Sequence, residues 1–170
     1  MKGWKNTYAK LQGAKMISHL RAIFEKGNTK GSDTRDRASE DDIRMATCAL
    51  LLELSHIDGK FSERERDLII DILQRKYGLD QNKTVSLMEA ARSELKDSID
   101  LWQFTNLINE NYTIEEKIGV IEMVWRIAYR DHVLDKHEDY LLHKLAKLLH
   151  LSHNKLIDAK MKVLKENACT

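Results

Sequence analysis

One carboxylate pattern occurs twice in the sequence. Residues 58–65 and residues 131–138 both follow the pattern Asp-x-x-x-[Ser/Asp]-x-x-Glu, and each follows an apolar segment. A Ser or Asp followed three residues later by Glu forms the capping box that opens a helix, so helix capping alone explains the second half of each pattern. The Asp that begins each copy precedes the cap by four residues, and capping does not explain it.

The first and last carboxylates of the two copies form a candidate metal site. If the copies pack about a two-fold axis, Asp58, Glu65, Asp131 and Glu138 converge. Four carboxylates in one place repel each other unless protons or a cation neutralise them. Oxygen ligands favour Ca²⁺ or Mg²⁺ over Zn²⁺. The alternative is that the glutamates only cap helices, and the sequence leaves both interpretations open.

Other kinds of site find less support in the sequence. The turn is not an EF-hand, because Lys60 occupies the second acidic position of that loop. Residues 53–56 have the Glu-x-x-His spacing of di-iron proteins, but the second copy carries Arg126 and Tyr129 there. The sequence has no phosphate-binding loop, dinucleotide fingerprint or nucleophile motif. A non-enzymatic protein is therefore expected, with a metal-dependent hydrolase as an alternative.

The elements that carry the two patterns are predicted to be helices. The chain of 170 residues contains no proline and seven glycines, although average usage would give roughly eight prolines. The stretches 45–52 and 118–128 are apolar on nearly every helical face, which predicts that residues 43–57 and 118–130 are central, buried neighbours. Helix starts are predicted from side chains that can cap the backbone, namely Ser39, Ser62, Asp80, Ser98, Thr113 and Asp135.

The two halves of the chain align at a constant offset of 73 residues. This offset pairs Asp58 with Asp131 and Leu52 with Trp125, which indicates an internal duplication. The predicted fold class is all-α: a single helical domain of two pseudo-repeated helical units, with about seven helices, preceded by an N-terminal amphipathic helix. The predicted organisation is a basic N-terminal helix and linker at 1–37 and the helical domain at 38–170.

The N-terminal segment differs in charge from the rest of the chain. Residues 1–30 contain seven Lys or Arg residues and one Glu, although the formal net charge of the whole chain is +1. Residues 4–26 can form an amphipathic helix, and residues 27–37 have the composition of a linker. The helix could bind an anionic membrane surface or fold back over the domain. Residues 38–166 are not basic, so no nucleic-acid partner is expected.

The sequence also bears on localisation. No apolar run approaches the roughly 20 residues that span a bilayer, and the N-terminus lacks a secretory signal. Cys48 and Cys169 show no disulfide-like spacing. We therefore expect a cytoplasmic protein, with attachment to the inner membrane surface through the N-terminal helix left open.

The doubled turn, each copy following a buried helix, resembles the TerB-like tellurite-resistance family over roughly residues 38–166. The second copy departs from the first at His132, where the first has Gly59. The resemblance implies an all-helical domain with an internal repeat, a role in bacterial stress-response or membrane-associated complexes, and no known catalysis. It also implies that acidic residues hold a divalent cation, and these correspond to Asp58, Glu65, Asp131 and Glu138.

Together, these observations predict a non-enzymatic, divalent-cation-binding helical interaction module that docks to a protein partner. The sequence identifies no small-molecule substrate. The alternatives are a peripheral membrane adaptor that uses the basic N-terminal helix, and the metal-dependent hydrolase.

Overall fold

The computed structural model describes residues 39–56, 61–130 and 134–168. All regular secondary structure within these ranges is helical, which confirms the all-α class. The helices are α1 (Glu40–Ser55), α2 (Glu63–Tyr77), α3 (Gln81–Asp97), α4 (Trp102–Asn111), α5 (Ile114–Ala128), α6 (Lys136–Leu148) and α7 (His153–Ala168). The predicted N-terminal helix and linker lie outside the described residues, so the division at residue 37 stays a prediction.

Helices α1 and α5 form the centre of the domain. Residues 45–52 of α1 and 120–125 of α5 are buried without a break, as two helices enclosed on every side must be. The two helices pack against each other, and α1 also contacts α2, α3 and α4, while α5 contacts α2, α6 and α7. The prediction that these segments are buried neighbours is therefore confirmed for their described residues.

The packing of the first three helices resembles that of the last three. Helix α1 packs on α3 as α5 packs on α7, and each central helix also contacts the helix that follows it. Helix α4 lies between the two sets in the sequence and packs on α1 and α6. A duplicated three-helix unit with α4 as its connection would give this arrangement, and the duplication itself stays a prediction.

The predicted capping residues begin most of the helices. In α1 the Asp42 N–H donates to Ser39 Oγ at 3.2 Å, and the Ser39 N–H donates back to Asp42 Oδ2 at 2.9 Å. Capping boxes also open α2, α5 and α6. Before α3, Asp80 Oδ1 accepts from the Lys83 N–H at 2.9 Å. Each cap satisfies N–H groups that the helix itself leaves without acceptors.

The predicted start of α4 at Ser98 is wrong. The helix begins at Trp102, whose N–H donates to Asp100 Oδ1 at 2.9 Å. Ser98 ends the preceding helix, and its hydroxyl donates to the Glu94 carbonyl at 2.6 Å. A helix that began at Ser98 would include Ile99 in its first turn, but Ile99 precedes α4 and is 97 % exposed. The cap next to the helix therefore prevails over the Ser two residues before it.

Candidate functional site

Glu65 and Glu138 occupy equivalent places at the starts of α2 and α6. Glu65 Oε2 accepts from both the N–H and the hydroxyl of Ser62 at 2.7 Å. Glu138 Oε2 accepts from the Asp135 N–H at 3.0 Å. Their side chains are 2 % and 10 % exposed, respectively. Both glutamates are therefore held in place by their own helix caps and are withdrawn from solvent.

Arg130, just beyond the end of α5, brings the two glutamates together. Its Nη1 atom lies 3.0 Å from Glu65 Oε1 and 3.7 Å from Glu138 Oε1. The same nitrogen also donates to the Ile127 carbonyl at 3.4 Å. One guanidinium thus joins carboxylates from the two halves of the chain, and each glutamate uses one oxygen for its cap and turns the other toward Arg130.

The predicted convergence is therefore found for the two glutamates. Asp58 and Asp131 lie outside the described residues, so the structure tests neither of them. Within 39–56, 61–130 and 134–168, no three His, Cys, Asp or Glu side chains are grouped closely enough to hold a metal ion. The described part of the chain gives half of the predicted ligand set, and a cationic side chain lies against it.

One feature of the glutamates fits a cation. Glu65 Oε1 is buried and accepts no hydrogen bond of good geometry from the described residues, although Arg130 lies at ion-pair distance. A buried carboxylate oxygen of this kind is stabilised by a full positive charge. Arg130 lies within ion-pair distance of both glutamates, so one guanidinium charge faces two carboxylates.

The sequence analysis missed Arg130. The offset that pairs Asp58 with Asp131 pairs Arg130 with Ile57, so only the second copy has a guanidinium next to its Asp. This difference between two otherwise matching turns is the sequence feature that could have identified Arg130 as part of the site. A cationic side chain of the protein can neutralise clustered carboxylates just as protons or a metal ion can.

His56 has a structural role at the end of α1. Its Nδ1 atom lies 2.6 Å from the Leu52 carbonyl oxygen, and its ring stacks on Phe61 with 4.7 Å between ring centroids. These contacts satisfy the end of the helix and cover its last turn. The Glu-x-x-His spacing at 53–56 is thus accounted for without a metal.

A surface cavity of about 230 Å³ lies between α6 and α7. The rings of His143 and His153 stack beside it with 5.7 Å between their centroids. The His143 Nδ1 atom lies 2.9 Å from the Asp139 carbonyl oxygen, one turn back in the same helix. None of the predicted site residues lines this cavity.

In the part of the chain that the structure describes, no helix is both long and apolar enough to cross a membrane.

Comparison with known proteins gives two matches and one negative result. Residues 44–161 match the family model described as Tellurite resistance protein TerB. The crystal structure of a protein of unknown function from Porphyromonas gingivalis W83 is similar to this chain, with a TM-score of 0.57 and 21 % sequence identity. The alignment covers 81 % of this chain and 98 % of that one, and it shows the fold alone. The comparison with curated proteins gave no match.

Proposed function

Because this chain belongs to the TerB family of tellurite resistance proteins, we propose that it is a non-enzymatic helical interaction module of a bacterial stress-response complex. A divalent cation at its acidic turns stabilises the junction between its two halves. The observation that supports this most directly is that Glu65 and Glu138 turn Oε1 atoms toward the same nitrogen of Arg130.

The cation follows from the charge at this junction. Asp58 and Asp131 precede the caps of α2 and α6 by four residues in the sequence, so they can reach the same region. Together with Glu65 and Glu138 they supply four carboxylates against the single charge of Arg130. Ca²⁺ or Mg²⁺ is preferred over Zn²⁺, since all four ligands are hard oxygen donors.

A non-catalytic role is supported by the titratable groups of the described residues. Burial raises the pKa of Cys48 and that of Tyr77, and both side chains lie in or against the core. The pKa of Glu116 is lowered, first by the backbone N–H of Thr113 and then by its hydroxyl. Each of these shifts has a structural cause, whereas catalytic groups gain theirs in a cleft that admits substrate.

Docking to a protein partner is supported by exposed apolar side chains between α3 and α4. Ile99 projects almost wholly into solvent, and Trp102 is 49 % exposed. Exposed aromatic side chains are enriched among the residues that carry binding energy in protein interfaces. These two residues are our candidates for the partner-binding surface.

A cation titration tests the proposal. After EDTA treatment and dialysis, the melting temperature of the full chain should rise with added Ca²⁺ or Mg²⁺, because an ion that binds the native state stabilises it. The double variant Asp58→Asn with Asp131→Asn should lose this shift, because it removes the charge of two proposed ligands. Its helix caps remain intact, so it should still fold. The matched control is Asp67→Asn with Asp158→Asn, which makes the same charge change on exposed surfaces of α2 and α7. A wild-type chain without any cation response would refute the proposal.

A second candidate function is that of a peripheral membrane adaptor, favoured by the seven basic residues within positions 1–30. Each basic residue near an anionic surface contributes about 1 kcal/mol. The full chain should then co-sediment with vesicles containing phosphatidylserine at low salt. The triple variant Lys5→Glu, Lys10→Glu and Lys15→Glu should not. The control places the same three charge reversals at Lys144, Lys147 and Lys155. Equal binding by all three chains, or by none, would remove this candidate.

A further inference from the structure

We propose that Arg130 is a built-in counterion that occupies the acidic site, and that a divalent cation must displace it. Arg130 then sets the cation affinity of the site. This inference rests on the proposed function, because it concerns the same carboxylates. It goes beyond that proposal because it states what neutralises the glutamates when no metal ion is bound, namely the guanidinium of Arg130.

The positions of the carboxylate oxygens support displacement. Glu65 and Glu138 hold Oε2 in their helix caps, so Oε1 is the atom that each turns toward the junction. Arg130 Nη1 lies 3.0 Å from one Oε1 atom and 3.7 Å from the other. Ca²⁺ binds oxygen at about 2.3–2.6 Å. A cation that takes both Oε1 atoms as ligands therefore lies close to Nη1, and the positive charge of the guanidinium repels it until Arg130 moves away.

The burial of the two glutamates shows why a counterion is needed. Glu65 and Glu138 are too enclosed to be hydrated, and a buried charge without a partner is strongly destabilising. Arg130 neutralises part of that charge, so the junction can form without metal. The Arg130 side chain is itself 23 % exposed. Its guanidinium thus has a route to solvent when an ion takes its place, because a long flexible stem carries it.

The repeat supplies the substitution for a test. Ile57 is the residue of the first copy that corresponds to Arg130. The Arg130→Ile variant therefore makes the two copies alike at this position and removes the counterion. The Arg130→Gln variant keeps most of the stem and a hydrogen-bond donor, and it removes only the charge. It is the milder variant in case Arg130→Ile does not fold without cation.

The experiment compares Ca²⁺ and Mg²⁺ titrations of the full chain, followed by melting temperature, for the wild type and both variants. Without cation, the variants should melt at lower temperature than the wild type. Their titration midpoints should lie at a cation concentration about tenfold lower than the wild-type midpoint, which corresponds to about 1.4 kcal/mol of binding free energy. The control is Arg126→Gln, because Arg126 pairs with Glu122 and Glu166 away from this junction. It should leave the titration midpoint unchanged.

Three results would overturn the inference. Variant midpoints equal to or higher than that of the wild type would mean that Arg130 lies beside the ion without competing with it, and the proposed function would survive. A matching change in Arg126→Gln would mean that any lost positive charge has this effect. No response in any chain would overturn the inference and the proposed function together. A response in the variants but not in the wild type would support the counterion role and contradict cation binding by the native chain.

Discussion

Arg130, just beyond the end of α5, and Glu65 at the start of α2 form an ion pair of 3.0 Å in which the glutamate is buried, and the pair joins the two halves of the domain. A second ion pair, Arg75 with Asp71, has a similar length of 2.9 Å but lies on the exposed surface of α2. The first pair lies where water cannot replace the partner that is lost. The second remains hydrated, so equal distances here imply unequal energies.

A double-mutant cycle on each pair should show this difference. The cycle of Arg130→Gln and Glu65→Gln should give a coupling energy of about 1–3 kcal/mol, and the cycle of Arg75→Gln and Asp71→Asn less than about 0.5 kcal/mol. The cycle also separates the ion pair from the capping role of Glu65. Both energies come from urea denaturation. Equal values would show that Arg130 does not stabilise the junction.

The two described glycines should respond oppositely to alanine. Gly78 ends α2 with φ +64°, a conformation that alanine adopts only with strain. Gly119 is inside α5, and a Cβ there would lie 3.7 Å from Lys76 Nζ, an ordinary contact. Gly78→Ala should destabilise the domain by about 1 kcal/mol, and Gly119→Ala should stabilise it by about 0.5–1 kcal/mol. Chemical denaturation measures both, and a loss of stability in Gly119→Ala would contradict the assigned packing.

The capping box of α5 should make stability depend on pH. The N–H of Thr113 donates to Glu116 Oε2 at 2.7 Å and its hydroxyl at 2.9 Å, which lowers the pKa of Glu116 from its ordinary value of 4.5. This contribution is present above pH 4.5 and is lost as the pH falls through the lower pKa of the folded state. It should be small, about 0.5 kcal/mol, because the site is exposed.

The Glu116→Gln variant checks this expectation. Its stability should lie below that of the wild type at pH 7 and approach it only as the pH falls through the lowered pKa of Glu116, where the wild-type carboxyl becomes neutral too. The Thr113→Ala background removes the hydroxyl donor and should reduce the pH dependence of the difference. Urea denaturation at a series of pH values gives the comparison. A difference that is constant with pH would mean that the carboxylate charge is not involved.

The capping boxes could be predicted from the sequence because each one is local. Ser62 and Glu65 lie on the same helical turn, so their types and spacing determine their contact. The start of α4 was harder to predict, since Ser98 and Asp100 both have side chains able to cap a helix. Ser98 instead accepts from Gln103 and donates to Glu94. Its role depends on how the chain turns after α3, which spacing does not specify.

The contacts of Arg130 could not be predicted in this way. Its partners begin two other helices, and they meet at its side chain only because α2 and α6 both pack near the end of α5. Asp58 and Asp131 lie outside the described residues, so their part in the site remains a prediction. The pattern identified residues able to carry charge, whereas tertiary packing decided which charges meet.

The two tryptophans among the described residues provide another test of the core assignment. Trp125 is buried, and its Nε1–H donates to the Leu156 carbonyl at 3.2 Å, joining α5 to α7. Trp102, the first residue of α4, is half exposed. Trp125→Ala should cost about 3–5 kcal/mol, and Trp102→Ala less than about 1 kcal/mol. The denaturant midpoints of the two variants measure these losses of stability. A large loss of stability in Trp102→Ala would place that residue in the core.

The enclosure of α1 has a consequence for synthesis on the ribosome. This helix is covered by α3, α4 and α5, and α5 ends only at Ala128. A nascent chain that stops before this point therefore leaves one side of an almost wholly apolar helix uncovered. Such surface promotes aggregation and chaperone binding. A chain that ends before α5 should therefore not fold stably by itself, and truncated products should be recognised by cellular quality control.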